Sequence, residues 1–76
     1  MFIHMTRIVK ERVRYYNISV EKNLFDEYIV TKEYGSLLNK RPTNTVMKIF
    51  LDIFEAKRYF ENERMRKLHK GYIRVT

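Results

Sequence analysis

Seventy-six residues, 45% of them hydrophobic and 14% aromatic, suffice for one small core and exclude a multidomain architecture. The absence of cysteine excludes a disulfide framework or a thiolate metal cage and points to a reducing compartment. A net charge of +7 favours polyanions, namely nucleic acid, an acidic protein or an acidic membrane surface. No apolar run approaches the ~20 residues of a membrane span, and the five residues from Met1 to Met5 are too short for a signal-peptide core. The expectation is a soluble cytoplasmic chain that starts at Met1 or Met5 and does not span a membrane.

In chain order, residues 3–10 read as a short edge strand. Residues 14–20 alternate, with Tyr16, Ile18 and Val20 on one face and Asn17 and Ser19 on the other, the pattern of a half-buried strand. Residues 21–23 read as a turn. Residues 24–34 then run back, placing Tyr28, Val30, Lys32 and Tyr34 on one face and Ile29, Thr31 and Glu33 on the other. Residues 39–44, Asn-Lys-Arg-Pro-Thr-Asn, hold the only proline and read as a loop. Residues 45–51 resume β character, with Met47, Ile49 and Leu51 as the predicted core face. Connections this short make an antiparallel meander.

Asp52 with Glu55 three residues later predicts a helix N-terminus. Ile53, Ala56, Phe60 and Leu68 form its apolar stripe, and Glu63 stands four residues from Lys67 for an ion pair. A basic last turn and Gly71 stop the helix, and residues 72–75 read as a final strand. The fold class is α+β: a small antiparallel sheet of four to five strands with one helix packed on one face.

Charge is unevenly distributed. Residues 64–74 hold Arg64, Arg66, Lys67, Lys70 and Arg74 without an acid, and residues 36–51 hold Lys40, Arg41 and Lys48 without one. Arg7, Lys10, Arg12 and Arg14 face only Glu11.

The order of motifs resembles the Trp-Gly-Arg (WGR) domain family. Its members look like a short strand, an Arg-Phe/Tyr-Tyr segment, a Leu-Phe-Gly-Glu-Trp turn, the Trp-Gly-Arg signature, an Asp/Glu-Ala helix and a terminal Lys-Gly-Tyr. The counterparts here are Arg14-Tyr15-Tyr16, Leu24-Phe25-Asp26-Glu27-Tyr28, Lys32-Glu33-Tyr34-Gly35-Ser36, Glu55-Ala56 and Lys70-Gly71-Tyr72. The similarity covers residues 5–75 of a single domain spanning 1–76. It implies a non-enzymatic DNA-binding module of the kind found beside the catalytic domain in some poly(ADP-ribose) polymerases and as small free-standing bacterial proteins, to which this chain is similar. In the polymerases the signature Trp packs on sugar and the Arg contacts backbone at a DNA end. Here the Trp position is Tyr34, a smaller ring, and the Arg position is Ser36, which lacks the bidentate fork that grips phosphate. The loop glycines are replaced in the region of Leu38 and Arg41-Pro42.

No catalytic residue is legible. His4 and His69 have no nucleophile or carboxylate at motif spacing. The pairs Asp26-Glu27 and Glu61/Glu63 read as turn and solvated-helix residues. Neither a glycine-rich phosphate loop nor metal-ligand spacing occurs, so no metal, cofactor or small-molecule substrate is expected. The candidate nucleic-acid contacts are Tyr34 for stacking, Gly35 for close backbone approach, Ser36 and Lys32 beside them, Lys40 and Arg41 as substitutes for the lost arginine, and Arg64, Lys67 and Lys70 at the helix end. Phe60 and Tyr72 are read as core, Tyr16 as inward and Tyr15 as outward and available. The partner class is DNA or RNA. The alternative is a protein-interaction module that keeps the fold, has lost DNA-end recognition and takes an acidic protein partner.

Overall fold

The computed structural model describes residues 1–38 and 44–75 as β1 (Phe2–Val9), β2 (Arg12–Lys22), β3 (Tyr28–Ser36), β4 (Asn44–Phe50), α1 (Ile53–His69) and β5 (Ile73–Arg74). The strands form one antiparallel sheet in the order β4-β3-β2-β1-β5, with α1 across one face, the α+β class that the periodicity predicts. β1 is an inner strand rather than an edge, because Ile73 and Arg74 pair with Thr6 and Met5 along its outer side. Among the described residues no helix is long and apolar enough to cross a membrane.

The first hairpin is hidden in the sequence. Lys10 and Glu11 turn it with φ of 49° and 66°, the two left-handed residues of a primed two-residue turn. Neither is Asn or Gly, the types that normally announce such a turn, so β1 reads alone as an isolated strand. The second turn lies later than residues 21–23. β2 continues to Lys22, and the Asn23 side-chain oxygen accepts from the amides of Phe25 and Glu27, both at 2.9 Å. Leu24 and Phe25 are left exposed at its tip instead of opening the return strand.

The core lies between sheet and helix: Ile3, Met5, Tyr16, Ile18, Val20 and Val30 from the sheet meet Ala56, Phe60 and Tyr72. The predicted core face of β4 is reversed. Its register sets Phe50 opposite Tyr28, Lys48 opposite Val30 and Val46 opposite Lys32, so these three face the helix. Met47 and Ile49 are 62% and 59% exposed on the opposite face, and Leu51 lies beyond the strand end. Alternation defines two faces but not which one the helix covers. Phe50 decides it by packing on Tyr59 of α1, with ring centroids 5.4 Å apart. Tyr15 does point away from the helix, yet it is buried beside His4, directly opposite Gly35, and is not available.

Asp52 caps α1, accepting from the Phe54 amide at 3.0 Å. At the other end the Gly71 amide donates to the Leu68 carbonyl and the Tyr72 amide to that of Lys67, both at 3.0 Å, which is the Schellman pattern. Gly71 takes φ +98°, a conformation that a side chain would strain. This turn folds Tyr72 back under the helix and delivers β5 to β1.

Glu63 does not pair with Lys67. It is buried on α1 and accepts from Lys32 of β3 at 3.1 Å and from Arg66 at 3.3 Å. Burial disfavours its charge, but Lys32 and Arg66 outweigh that and hold its carboxyl below the ordinary glutamate range. Burial likewise opposes the Lys32 charge, and contacts with Tyr59 and Glu63 outweigh it and raise its ammonium above the ordinary lysine range.

Two outcomes follow from these contacts. Replacing Lys10-Glu11 by Asn-Gly relieves left-handed strain of about 1–2 kcal/mol per residue, so chemical denaturation should show a more stable protein by roughly 1 kcal/mol. Glu63→Gln leaves Lys32 buried without its counter-charge and should cost about 3 kcal/mol. The depressed Glu63 pKa means that its contribution is present above the unfolded value of about 4.3 and is lost as pH falls through the lower folded value. Acid titration of the variant should therefore lack that part of the wild-type loss.

Candidate nucleic-acid interface

The strand register sorts the charge. Arg7, Arg12, Arg14, Lys22, Lys32, Lys48 and Arg74 all lie on the helix-bearing face of the sheet. The opposite face, built from positions such as His4, Tyr15, Asn17, Thr31, Met47 and Ile49, carries no lysine or arginine among the described strand residues. The uneven spacing seen along the chain thus becomes a one-sided field, the arrangement that attracts a polyanion to one surface.

On that face the end of the sheet and the last turns of α1 enclose a concavity of about 330 Å³, lined by Arg7, Val9, Arg14, Tyr34, Gly35, Lys67, Lys70 and Tyr72. Its floor is aromatic. Tyr16 and Tyr34, neighbours across β2 and β3, stack with centroids 5.9 Å apart, and Tyr72 meets Tyr16 edge-on at 6.1 Å. The Lys67 ammonium sits over all three rings, 4.7 Å from the Tyr16 centroid and 5.6 Å from those of Tyr34 and Tyr72. No carboxylate among the described residues pairs with it. Burial first and the Lys70 charge second push its pKa down, with Glu63 opposing. The Tyr16 hydroxyl beneath has no hydrogen-bond partner among the described residues, and burial pushes its pKa up.

Arg7 and Arg14 stand directly opposite each other on β1 and β2, a like-charge pair that disfavours the sheet by itself. Arg7 also lies over the Tyr72 ring at 6.0 Å. With Lys67 and Lys70 they give the concavity four bases and no acid among its lining residues. Such a site can neutralise phosphate oxygens and lay an apolar ring against a sugar. Among the described residues no cluster of three potential metal ligands occurs.

Of the residues that the sequence nominates, Tyr34, Gly35, Lys67 and Lys70 come together here. Tyr34 is a half-buried wall stacked on Tyr16 rather than a free-standing ring. Ser36 ends β3 opposite Arg14, and its hydroxyl accepts from the Leu38 amide at 3.3 Å. Lys32 is engaged by Glu63 and lies over Tyr59. Arg64 is held by Glu61 at 2.7 Å on the outer side of the helix. Lys40 and Arg41 lie outside the described residues. Arg7 and Arg14 were legible as bases but not as site residues, since their convergence depends on the hidden Lys10-Glu11 turn. Tyr72 does serve the core, and its ring also lines the site.

No curated protein and no solved structure shows a significant match to the chain. The WGR domain matches it over residues 1–76. The chain therefore belongs to the WGR domain family, a family of nucleic-acid-binding rather than catalytic modules.

Proposed function

We propose that the chain acts as a single non-enzymatic module that binds the phosphate backbone of nucleic acid, DNA foremost, in the concavity between the β1–β2 hairpin and the end of α1. The observation that carries this reading is the convergence of Arg7, Arg14, Lys67 and Lys70 around an aromatic floor with no carboxylate in the lining. Arg14 and Lys70 are exposed and reach phosphate first, Arg7 and Lys67 supply the deeper charge, and Tyr34 offers its accessible part to a sugar or an unstacked base. RNA single strands present the same phosphates and are a further ligand class for this site. The signature positions Tyr34 and Ser36 carry neither Trp nor Arg. That departure favours one second reading, an acidic protein segment held by the same bases. A pull-down partner that survives nuclease treatment, with no nucleic acid bound at low salt, would select it.

If about four phosphates are neutralised, log affinity for duplex DNA should fall against log salt with a slope of about −3 to −4. Arg14→Ala or Lys70→Ala should each reduce that slope by about one, whereas Lys57→Ala, an exposed helix position outside the concavity, should leave it unchanged. Equal slopes for all three variants would remove the concavity as the contact. Ser36→Arg places a guanidinium beside Arg14 and should tighten DNA binding by about 1 kcal/mol or more, within the range of a charge-assisted hydrogen bond. Unchanged affinity in a binding titration counts against Ser36 lying at the interface.

A further inference from the structure

β4 ends the sheet, and among the described residues nothing hydrogen-bonds to its outer edge. Edges of this kind are normally blunted by proline, a bulge or an inward-pointing charge, because their free N–H and C=O groups template another strand. Within Asn44–Phe50 there is no proline, and its one charge, Lys48, is turned onto the helix side with its ammonium 4.8 Å from the Tyr59 ring centroid. On the opposite face Met47 and Ile49 are exposed, beside Thr31 and Ile29 of β3.

We propose that β4 pairs antiparallel with β4 of a second copy of this chain, about a two-fold axis through Met47, so that one sheet runs through both copies. The strand is complementary to itself in that register. Met47 meets Met47, Thr45 meets Ile49, Val46 meets Lys48 and Asn44 meets Phe50, so no lysine stands opposite a lysine and the exposed apolar residues of both copies form one stripe. Electrostatics select the same edge. Two chains of net charge +7 repel across their basic faces, but the face beside β4 has no described strand lysine or arginine, and Lys48 is occupied by Tyr59. An acidic partner strand would find only that single base along β4. Continuing the sheet puts both helices, and with them both basic concavities, on the same side of the assembly.

Sedimentation equilibrium over a concentration series tests this. The wild-type mass should rise from 9.4 kDa towards twice that value. Met47→Lys sets two ammonium groups face to face and should abolish the rise while keeping the wild-type circular dichroism spectrum. The chain has no cysteine, so Met47→Cys provides a clean probe. Directly opposed residues of an antiparallel pair have Cα atoms about 4.5–5.5 Å apart, within disulfide range, and mild oxidation should give a covalent dimer. Ile8→Cys, exposed on β1, should stay monomeric under the same treatment. A monomer at every concentration, a dimer that survives Met47→Lys, or cross-linking of Ile8→Cys as fast as Met47→Cys would each overturn the proposal. If Met47→Lys fails to fold, the comparison of the two cysteine variants decides alone.

Discussion

The placement of Lys67 over three tyrosine rings joins the stability of this molecule to its basic concavity. An ammonium at that depth is disfavoured by desolvation and by the nearby Lys70, and its described environment supplies ring faces instead of a paired carboxylate. Each such contact contributes on the order of 0.5–2 kcal/mol, enough to hold the charge in place without neutralising it. The rings come from β2, β3 and the turn after α1, so one cation ties together three separate pieces of chain. Its uncancelled charge is what the concavity offers to an anion.

Ion pairing is distributed unevenly along α1. Glu63 spends its carboxylate on Lys32 and Arg66, in the helix–sheet contact, where the Lys32 pair joins α1 to β3. Among the described residues neither Lys67 nor Lys70 at the helix C-terminus has a carboxylate partner. The core is thus neutralised, and the surplus positive charge is left where the sheet end opens.

The fold was largely legible because its periodicities are clean: Tyr16, Ile18 and Val20 in β2, Tyr28, Val30 and Tyr34 in β3, and Ala56 with Phe60 in α1 point inward as their spacing indicates. The β1–β2 hairpin and the inward face of β4 were among the features that were not. A Lys-Glu pair in left-handed conformation gives no local turn signal, which concealed the β1–β2 hairpin and with it the meeting of Arg7 and Arg14. In β4 both faces are apolar enough to be core, and a tertiary contact, Phe50 on Tyr59, made the choice. The make-up of the candidate concavity was legible in part for the same reason. Tyr34, Gly35, Lys67 and Lys70 belong to motifs with local signatures, while Arg7 and Arg14 enter only through register. Lys32 and Arg64 show the converse, since a base in a suggestive position can already be committed to a neighbouring acid.

The Arg7–Arg14 pair has one more consequence. Two arginines at directly opposed positions of a hairpin repel within the folded chain, and dissolved ions weaken that repulsion just as they weaken attraction to a polyanion. Added salt therefore acts in opposite senses on the two equilibria, relaxing strain in the free protein while loosening any complex it forms. On the function proposed above, a phosphate bound there would relieve the same repulsion directly, and the hairpin end of the sheet would be firmer occupied than empty.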